Sequence, residues 1–210
     1  IVVSDVMMPL MNGLELCAKI KNNIEYSHIP VILLTAKVLP EAKVEGFSYG
    51  ADAYVEKPFT ILQLHMQIRH LLKLRTTFQQ HMTSFLPDAK PEEKEEEETG
   101  IQLTPQDQEF IKKMQEIIEQ QLADESFSID TLAAEMNMSR SNFYRKLKAL
   151  SGMPPNDYLK NCRLNKAAQL LKEGYRVTEV FERTGFGSSS YFAKCFKAKF
   201  GVLPKDYISN

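Results

Sequence analysis

The segment Met138–Leu150, MSRSNFYRKLKAL, reads as a short helix with two different stripes. Ser139 stands before it as an N-cap, a residue whose side-chain oxygen accepts an orphan backbone N–H of the first turn. Phe143, Leu147 and Leu150 recur at i, i+4 and i+7, so one stripe is apolar and faces a core. Ser141, Tyr144, Arg145 and Lys148 form the other stripe, with two cations and two hydroxyls. Just upstream, IDTLAAEM (Ile129–Met136) is a second short amphipathic helix. Asn137 between them tolerates the left-handed backbone of a tight turn.

A helix, a tight turn and a cationic helix make a helix-turn-helix, whose second helix enters the major groove of DNA. The pattern returns further on. Val177–Thr184 is a short helix, Gly185 supplies the turn, and Ser188–Phe200 is a helix with Phe192, Phe196 and Phe200 inward. Phe143 and Leu147 map onto Phe192 and Phe196 at a constant offset of 49 residues. The same offset gives the second exposed stripe as Ser190, Ala193, Lys194 and Lys197. Between the units, Pro154–Lys172 reads as one long helix with Pro155 in its first turn, ended by Gly174. Tyr158, Leu159, Cys162, Leu164, Ala167, Leu170 and Leu171 are its apolar positions. Ahead of both, Gln106–Leu122 is an amphipathic helix suited to pack on the first unit. Two such units joined by a rigid helix reach successive major grooves if their second helices lie about one DNA turn (~34 Å) apart.

The whole chain has 210 residues, room for two modest domains. Its 43% hydrophobic and 25% charged residues are those of a soluble globular protein, and no apolar run reaches membrane-spanning length. There is no signal peptide, and the sequence opens inside an apolar run, Ile1-Val2-Val3, which is expected of a piece of a longer protein. Cys17, Cys162 and Cys195 are odd in number and set in apolar helical patterns, so buried reduced thiols in a cytoplasmic protein are expected. Charge is unevenly placed. Residues 1–100 carry 10 Lys and Arg against 14 Asp and Glu, whereas residues 126–210 carry 14 against 7. Only the back of the chain is therefore suited to meet nucleic acid. From Thr76 to Pro105 the apolar pattern fails and the run Glu92–Glu98, EEKEEEE, takes over. Such a block reads as a solvated linker, or as an acidic arm that competes with DNA for the basic domain.

The front of the chain follows a different rule. Ile1–Ser4, Val31–Leu34 and Ala53–Glu56 are short apolar strands of the kind covered by helices on both faces of a parallel sheet. Helices are expected over Asn12–Lys21, Pro40–Tyr49 and Ile61–Arg75, the last with Leu64, Ile68, Leu71 and Leu72 inward. This is β-α-β-α-β-α, part of a doubly wound, flavodoxin-like α/β fold. Polar residues sit at the carboxyl ends of the strands: Asp5, then Thr35, then Lys57-Pro58. An isolated Asp after a strand is usually a cap. Here an acid, a hydroxyl and an amine converge from three strands, so Asp5 can act as nucleophile toward a phosphoryl donor. Lys57 and Thr35 then hold the added oxygens.

These residues resemble the receiver domain of two-component response regulators, through Asp5…Met8-Pro9…Gly13, Thr35-Ala36, Gly50-Ala51-Asp52-Ala53-Tyr54 and Lys57-Pro58-Phe59. The resemblance runs from Ile1 to about Arg75. It implies Asp5 as phosphoacceptor, Thr35, Tyr54 and Lys57 as switch and phosphate-stabilising residues, and a cis peptide before Pro58. It implies Mg²⁺ in an intact receiver, with Asp5 a possible ligand, whereas the acidic pair of the first two strands is absent here. Residues 106–210 resemble the AraC/XylS transcription regulators, through LAAEMNMSRSNFYRKLKALSG, NDYLKNCRLNKAAQLL and above all GFGSSSYFAKCFKAKFGVLPKDY. Carried over by position, Ser141, Tyr144, Arg145, Ser189, Ser190 and Lys194 face bases, Lys148 and Lys197 touch phosphates, and Arg140 joins the DNA-binding set. Phe181 and the Ser and Ala residues of the second reading helix depart from the family pattern. Discrimination is therefore expected mainly from the first unit, with Arg145 its main reader unless it contacts phosphate or a carboxylate instead.

Together the resemblances imply a receiver (residues 1–75), a linker (76–105) and an AraC-type domain (106–210), with helix-turn-helix units at 129–150 and 177–200 and a linker helix at 154–173. The expected function is non-enzymatic: phosphorylation-regulated, sequence-specific binding of double-stranded DNA as a homodimer. The phosphodonor would be a histidine kinase domain, in the same polypeptide as in hybrid two-component proteins, with a parent anchored in the inner membrane. The alternative is a phosphorelay receiver whose helical part binds protein.

Overall fold

The computed structural model describes residues 1–36, 49–84 and 103–209. Three short strands, β1 (Val2–Asp5), β2 (Val31–Thr35) and β3 (Ala53–Glu56), pair in parallel in the order β1-β2-β3. Val2 lies opposite Val31, and Ile32 opposite Ala53. Alternation along the strands sends their side chains to two faces. On one face Cys17 of α1 (Gly13–Lys21) packs with Val31, Leu33 and Ala51. On the other, Leu71 of α2 (Ile61–Ser84) packs with Ile32, Ala53 and Val55. Val31, Ile32 and Leu33 are wholly buried, each contributing roughly 1.5–3 kcal/mol relative to exposure. That is why β2, covered on both sides, reads as an unbroken apolar run.

The helix starts follow local chemistry. Asn12 caps α1, its Oδ1 accepting the Glu15 N–H at 2.8 Å while Glu15 Oε2 accepts the Asn12 N–H at 3.4 Å. The expected helix at Pro40–Tyr49 falls, apart from Tyr49, outside the described residues, as does the acidic run Glu92–Glu98. Two expectations need correction. α2 does not stop at Arg75 but continues to Ser84, because no Pro or Gly interrupts the sequence before Pro87. Leu72 is 47% exposed. Leu64, Ile68 and Leu71 fill the inward stripe at i, i+4 and i+7, and Leu72 falls a further 100° round the helix.

The remaining described elements are α3 (Pro105–Gln121), α4 (Ile129–Glu135), α5 (Arg140–Ser151), α6 (Pro155–Lys172), α7 (Val177–Glu182), α8 (Ser189–Phe200) and a closing 3₁₀ turn (Pro204–Ser209). The described residues form two compact units. One holds Ile1–Phe78 and α3 as far as Ile111, and the other holds Gln79–Ser84 and everything from Lys112 on.

In the second unit, Asn137 has φ 53° between α4 and α5, and Gly185 has φ 64° between α7 and α8. Ser139 and Ser188 cap the two following helices, accepting the Asn142 and Tyr191 N–H groups at 3.3 and 3.4 Å. Gln121 Nε2 donates to Glu135 Oε1 at 2.6 Å and ties the end of α3 to α4. α6 is apolar on several sides because both helix-turn-helix units pack around it, burying Leu159, Cys162, Ala167 and Leu171 among others. The second helix-turn-helix is built on an aromatic cluster. Phe192 sits 5.2 Å from Phe186 and 5.7 Å from Phe196, and Phe196 meets Tyr207 edge-on at 5.2 Å. Phe181 lies 6.3 Å from Phe192 at the margin of this cluster.

Candidate functional site

Two groups of residues carry chemistry, one in each unit. In the first, β1 ends on Asp5, whose Cα pairs with Leu34, and β2 ends one residue later on Thr35, opposite Glu56. The ladder continues past the strand ends. The Val6 N–H donates to Leu34 O at 2.9 Å and the Lys57 N–H to Thr35 O at 2.7 Å. These bonds bring three strand ends to one edge, and the Lys57–Pro58 peptide is cis. Lys57 Nζ donates to Asp5 Oδ2, and the Met7 N–H donates to Asp5 Oδ1 at 3.1 Å. The lysine, followed by the Met7 amide, holds the Asp5 carboxyl below its ordinary value of 3.8. Asp5 is thus a carboxylate at neutral pH, still about one-third exposed, which is what a nucleophile needs. Gly13 presses on the backbone beneath it, and any Cβ there would lie 2.2 Å from the Asp5 carbonyl oxygen.

Tyr54 does not join this edge. It lies opposite Leu33, on the face that also carries Thr35, and packs against the cluster of Cys17, Val31, Leu33 and Ala51. Burial, reinforced by Cys17, pushes its hydroxyl up to about 12. A half-buried ion pair, invisible in the linear pattern, supports the neighbouring loop. Lys21 Nζ meets Asp52 Oδ2 at 2.7 Å, and the same oxygen accepts the Val31 N–H at 2.7 Å. Among the described residues no group of three His, Cys, Asp or Glu side chains is placed to hold a metal. Asp5 by itself does not make a magnesium site.

In the second unit the reading helices present their cations outward. Arg140, Ser141, Arg145 and Lys148 of α5 are exposed and Tyr144 is half-buried, whereas Lys146 between them is fully buried. On α8, Ser189, Ser190, Lys194 and Lys197 are exposed. Arg145 is not paired with a carboxylate in the bonds described. Its Nη2 donates to Asn142 Oδ1 and its Nε to Ser141 O at 3.4 Å, which lays the guanidinium along the helix. Arg140 instead meets Asp130 at 2.9 Å, both ends well exposed, a surface pair worth about 0.2–1 kcal/mol. Asn142 was not singled out in the sequence, although its i, i+3 spacing to Arg145 on one helix is a signal that could have found it. Asp130, on the preceding helix, gave no such signal. The three cysteines are free thiols. Cys17 and Cys162 are buried, but Cys195 is only half-buried, a correction to the expectation for all three. Its place beside Phe196, off the inward stripe of α8, is the reason.

Among known proteins, the family described as the response regulator receiver domain matches residues 1–69, and that described as a helix-turn-helix domain matches residues 132–210. Histidine kinase P4 of Formosa agariphila is 35% identical over 208 residues, 99% of this chain and 15% of that protein. The response regulator ArlR of Staphylococcus aureus is 42% identical over 73 residues, 35% of this chain and 32% of ArlR. The crystal structure of the C-terminal domain of the two-component response regulator yesN from Fusobacterium nucleatum covers 48% of this chain and 98% of its own, at 30% identity and a TM-score of 0.45. The chain therefore spans well under two thirds of the curated relatives it matches. The parallel sheet with Asp5 at its carboxyl edge is that of a receiver, and a helical domain follows it. The chain thus carries a response regulator receiver domain over residues 1–69 and a helix-turn-helix domain over residues 132–210. No helix among the described residues is long and apolar enough to cross a membrane.

Proposed function

We propose that this chain is the output end of a two-component signalling protein, a sequence-specific DNA-binding transcription regulator controlled by phosphorylation of Asp5. One combination carries the reading: a carboxylate held ionised against Lys57, in the same chain as two cation-bearing helices that each follow a left-handed turn. The phosphoryl group passes from a kinase histidine nitrogen to Asp5 Oδ. The N–P bond breaks as the O–P bond forms, and the neutral imidazole leaves. Lys57 then exchanges a carboxylate for a phosphoryl partner, and Thr35 donates its hydroxyl to the new oxygens. Thr35 shares a sheet face with Tyr54, so their joint rearrangement is the route by which receivers change their pairing and bring two DNA-binding domains to adjacent sites. The kinase lies in the same longer polypeptide, and the working boundaries are a receiver to residue 75, a linker to 105 and a DNA-binding domain beyond.

Selection of binders from random duplexes at two salt concentrations tests the DNA arm. The expected result is a motif with two half-sites about one helical turn (~10 bp) apart. Unselective binding abolished by salt would leave only the phosphate contacts and overturn the reading. For the receiver arm, a small-molecule acyl phosphate donor should raise affinity for the selected duplex in the wild type and not in Asp5→Asn. Equal responses would overturn control through Asp5.

A further inference from the structure

Three segments far apart in sequence meet at one side chain in the second unit. Arg163 lies midway along α6, the helix that separates the two helix-turn-helix units. Its Nη2 donates to the carbonyl of Asp124 at 2.9 Å and to that of Phe127 at 3.0 Å. Both carbonyls belong to the loop that ends at Ser128, the cap of α4 and so the entry to the first helix-turn-helix. The guanidinium also lies against the turn of the second helix-turn-helix. A Cβ on Gly185 would stand 3.1 Å from Arg163 Nε and Nη2, and 2.4 Å from the carbonyl oxygen of Leu122. One residue pair further on, a Cβ on Gly187 would stand 2.1 Å from Glu125 Oε1. The loop before α4 and the turn before α8 are therefore in contact, with the planar fork of Arg163 wedged where they meet. Its Nε is buried and bonds to no other described residue, so the contact there is steric, against Gly185. Asp124 is fixed in turn, its Oδ1 accepting the Ser126 N–H and hydroxyl, both at 2.8 Å.

We propose that Arg163 is a positioning residue that sets the separation of the two reading helices, and with it the half-site spacing that the domain accepts. It faces no base. It acts on recognition by locking the entry loop of the first helix-turn-helix to the turn of the second across α6. Lysine cannot replace it, since a single ammonium on a flexible stem has neither the fixed fork nor the flat face that fits against Gly185. The proposal rests on the DNA-binding reading above and concerns only how its two halves are held.

The test uses the full chain and three duplexes: the selected two-part site, the same site with two base pairs inserted between the halves, and one half-site alone. Two base pairs turn one half by about 70° relative to the other. A rigid wild type should prefer the selected spacing over the insertion by about tenfold or more. Arg163→Lys should bring that ratio to within about twofold while half-site affinity stays within about twofold of wild type. Gly185→Ala, which leaves Arg163 in place but forces the turn off it, should act in the same direction and serves if Arg163→Lys does not fold. A spacing ratio unchanged in both variants, or half-site and two-part affinities falling in parallel, would overturn the positioning role. A wild type that selects no two-part motif would overturn the DNA-binding reading itself, and this proposal with it.

Discussion

Replacing Gly13 by alanine tests how tightly the sheet edge around Asp5 is built. Gly13 opens α1, and its N–H donates to Val6 O at 2.9 Å, so the helix start is fastened to the residue after Asp5. A Cβ there would lie 2.2 Å from Asp5 O, 3.0 Å from the Asp5 carbonyl carbon and 3.1 Å from Val6 Cα. Carbon and oxygen rest at about 3.3 Å, so roughly 1 Å must be found. All three atoms are backbone, and none can swing away as a side-chain tip would. Overpacking of this kind costs about 1–3 kcal/mol, and the rigid neighbours place Gly13→Ala in the upper half of that range. For a unit of this size the unfolding midpoint then falls by on the order of 10 °C. Gly174→Ala is the control. Gly174 has φ +90° but nothing within 4 Å of the added carbon, leaving only a conformational cost of about 1–2 kcal/mol in the other unit. Calorimetry on the full chain, with the two transitions resolved, reads both. A first-unit midpoint within about 2 °C of wild type in Gly13→Ala would refute the steric argument.

Lys57→Met should raise the Asp5 carboxyl toward its ordinary 3.8, because the lysine is the main cause of its lowering, while the Met7 amide still holds it down. The sign follows: the Asp5–Lys57 stabilisation is present above 3.8 and is lost as the pH falls through the lower folded value. A ¹³C titration of Asp5 that is identical in the two proteins would contradict this. Arg145→Ala should cost about 1–3 kcal/mol of discrimination at one base position of the selected motif; an equal loss on every sequence would make Arg145 a phosphate contact. Burial pushes the Cys17 thiol up to about 11 and the Cys162 thiol up to about 12. Iodoacetamide near pH 8 should therefore modify half-buried Cys195 first and the other two only on unfolding. Prompt labelling of Cys17 in the folded chain would show that α1 is not packed on the sheet as described.

Much of the fold was legible because it is written within a few residues at a time. The i, i+4, i+7 stripe of Phe143, Leu147 and Leu150 marked the buried side of α5, and all three are buried. Asn137 and Gly185 marked turns whose φ is positive, and Ser139 marked a cap whose oxygen accepts the third N–H of its helix; Ser188, read as the first residue of its helix, is its cap instead. The unbroken run Val31–Leu34 marked a strand covered on both faces. Where a local signal faded instead of stopping, the reading failed. The stripe of α2 weakens after Arg75, yet nothing there breaks a helix, and the backbone continues to Ser84.

By itself the sequence determined the order of elements, their caps and turns, and the polar residues at the strand ends. Helix periodicity, capping and turn chemistry act over at most four or five residues, so a linear pattern contains them. Only the tertiary structure decided which of those residues touch. Asp5 and Lys57 are 52 positions apart, and Lys21 meets Asp52 through the closure of β2 on β3. Gly13 lies under the Asp5 carbonyl, and Arg163 reaches carbonyls 36 and 39 residues before it. Backbone carbonyls have no identity in a sequence, and a glycine's closeness to a neighbour has no pattern. Such contacts are set by how the whole chain packs.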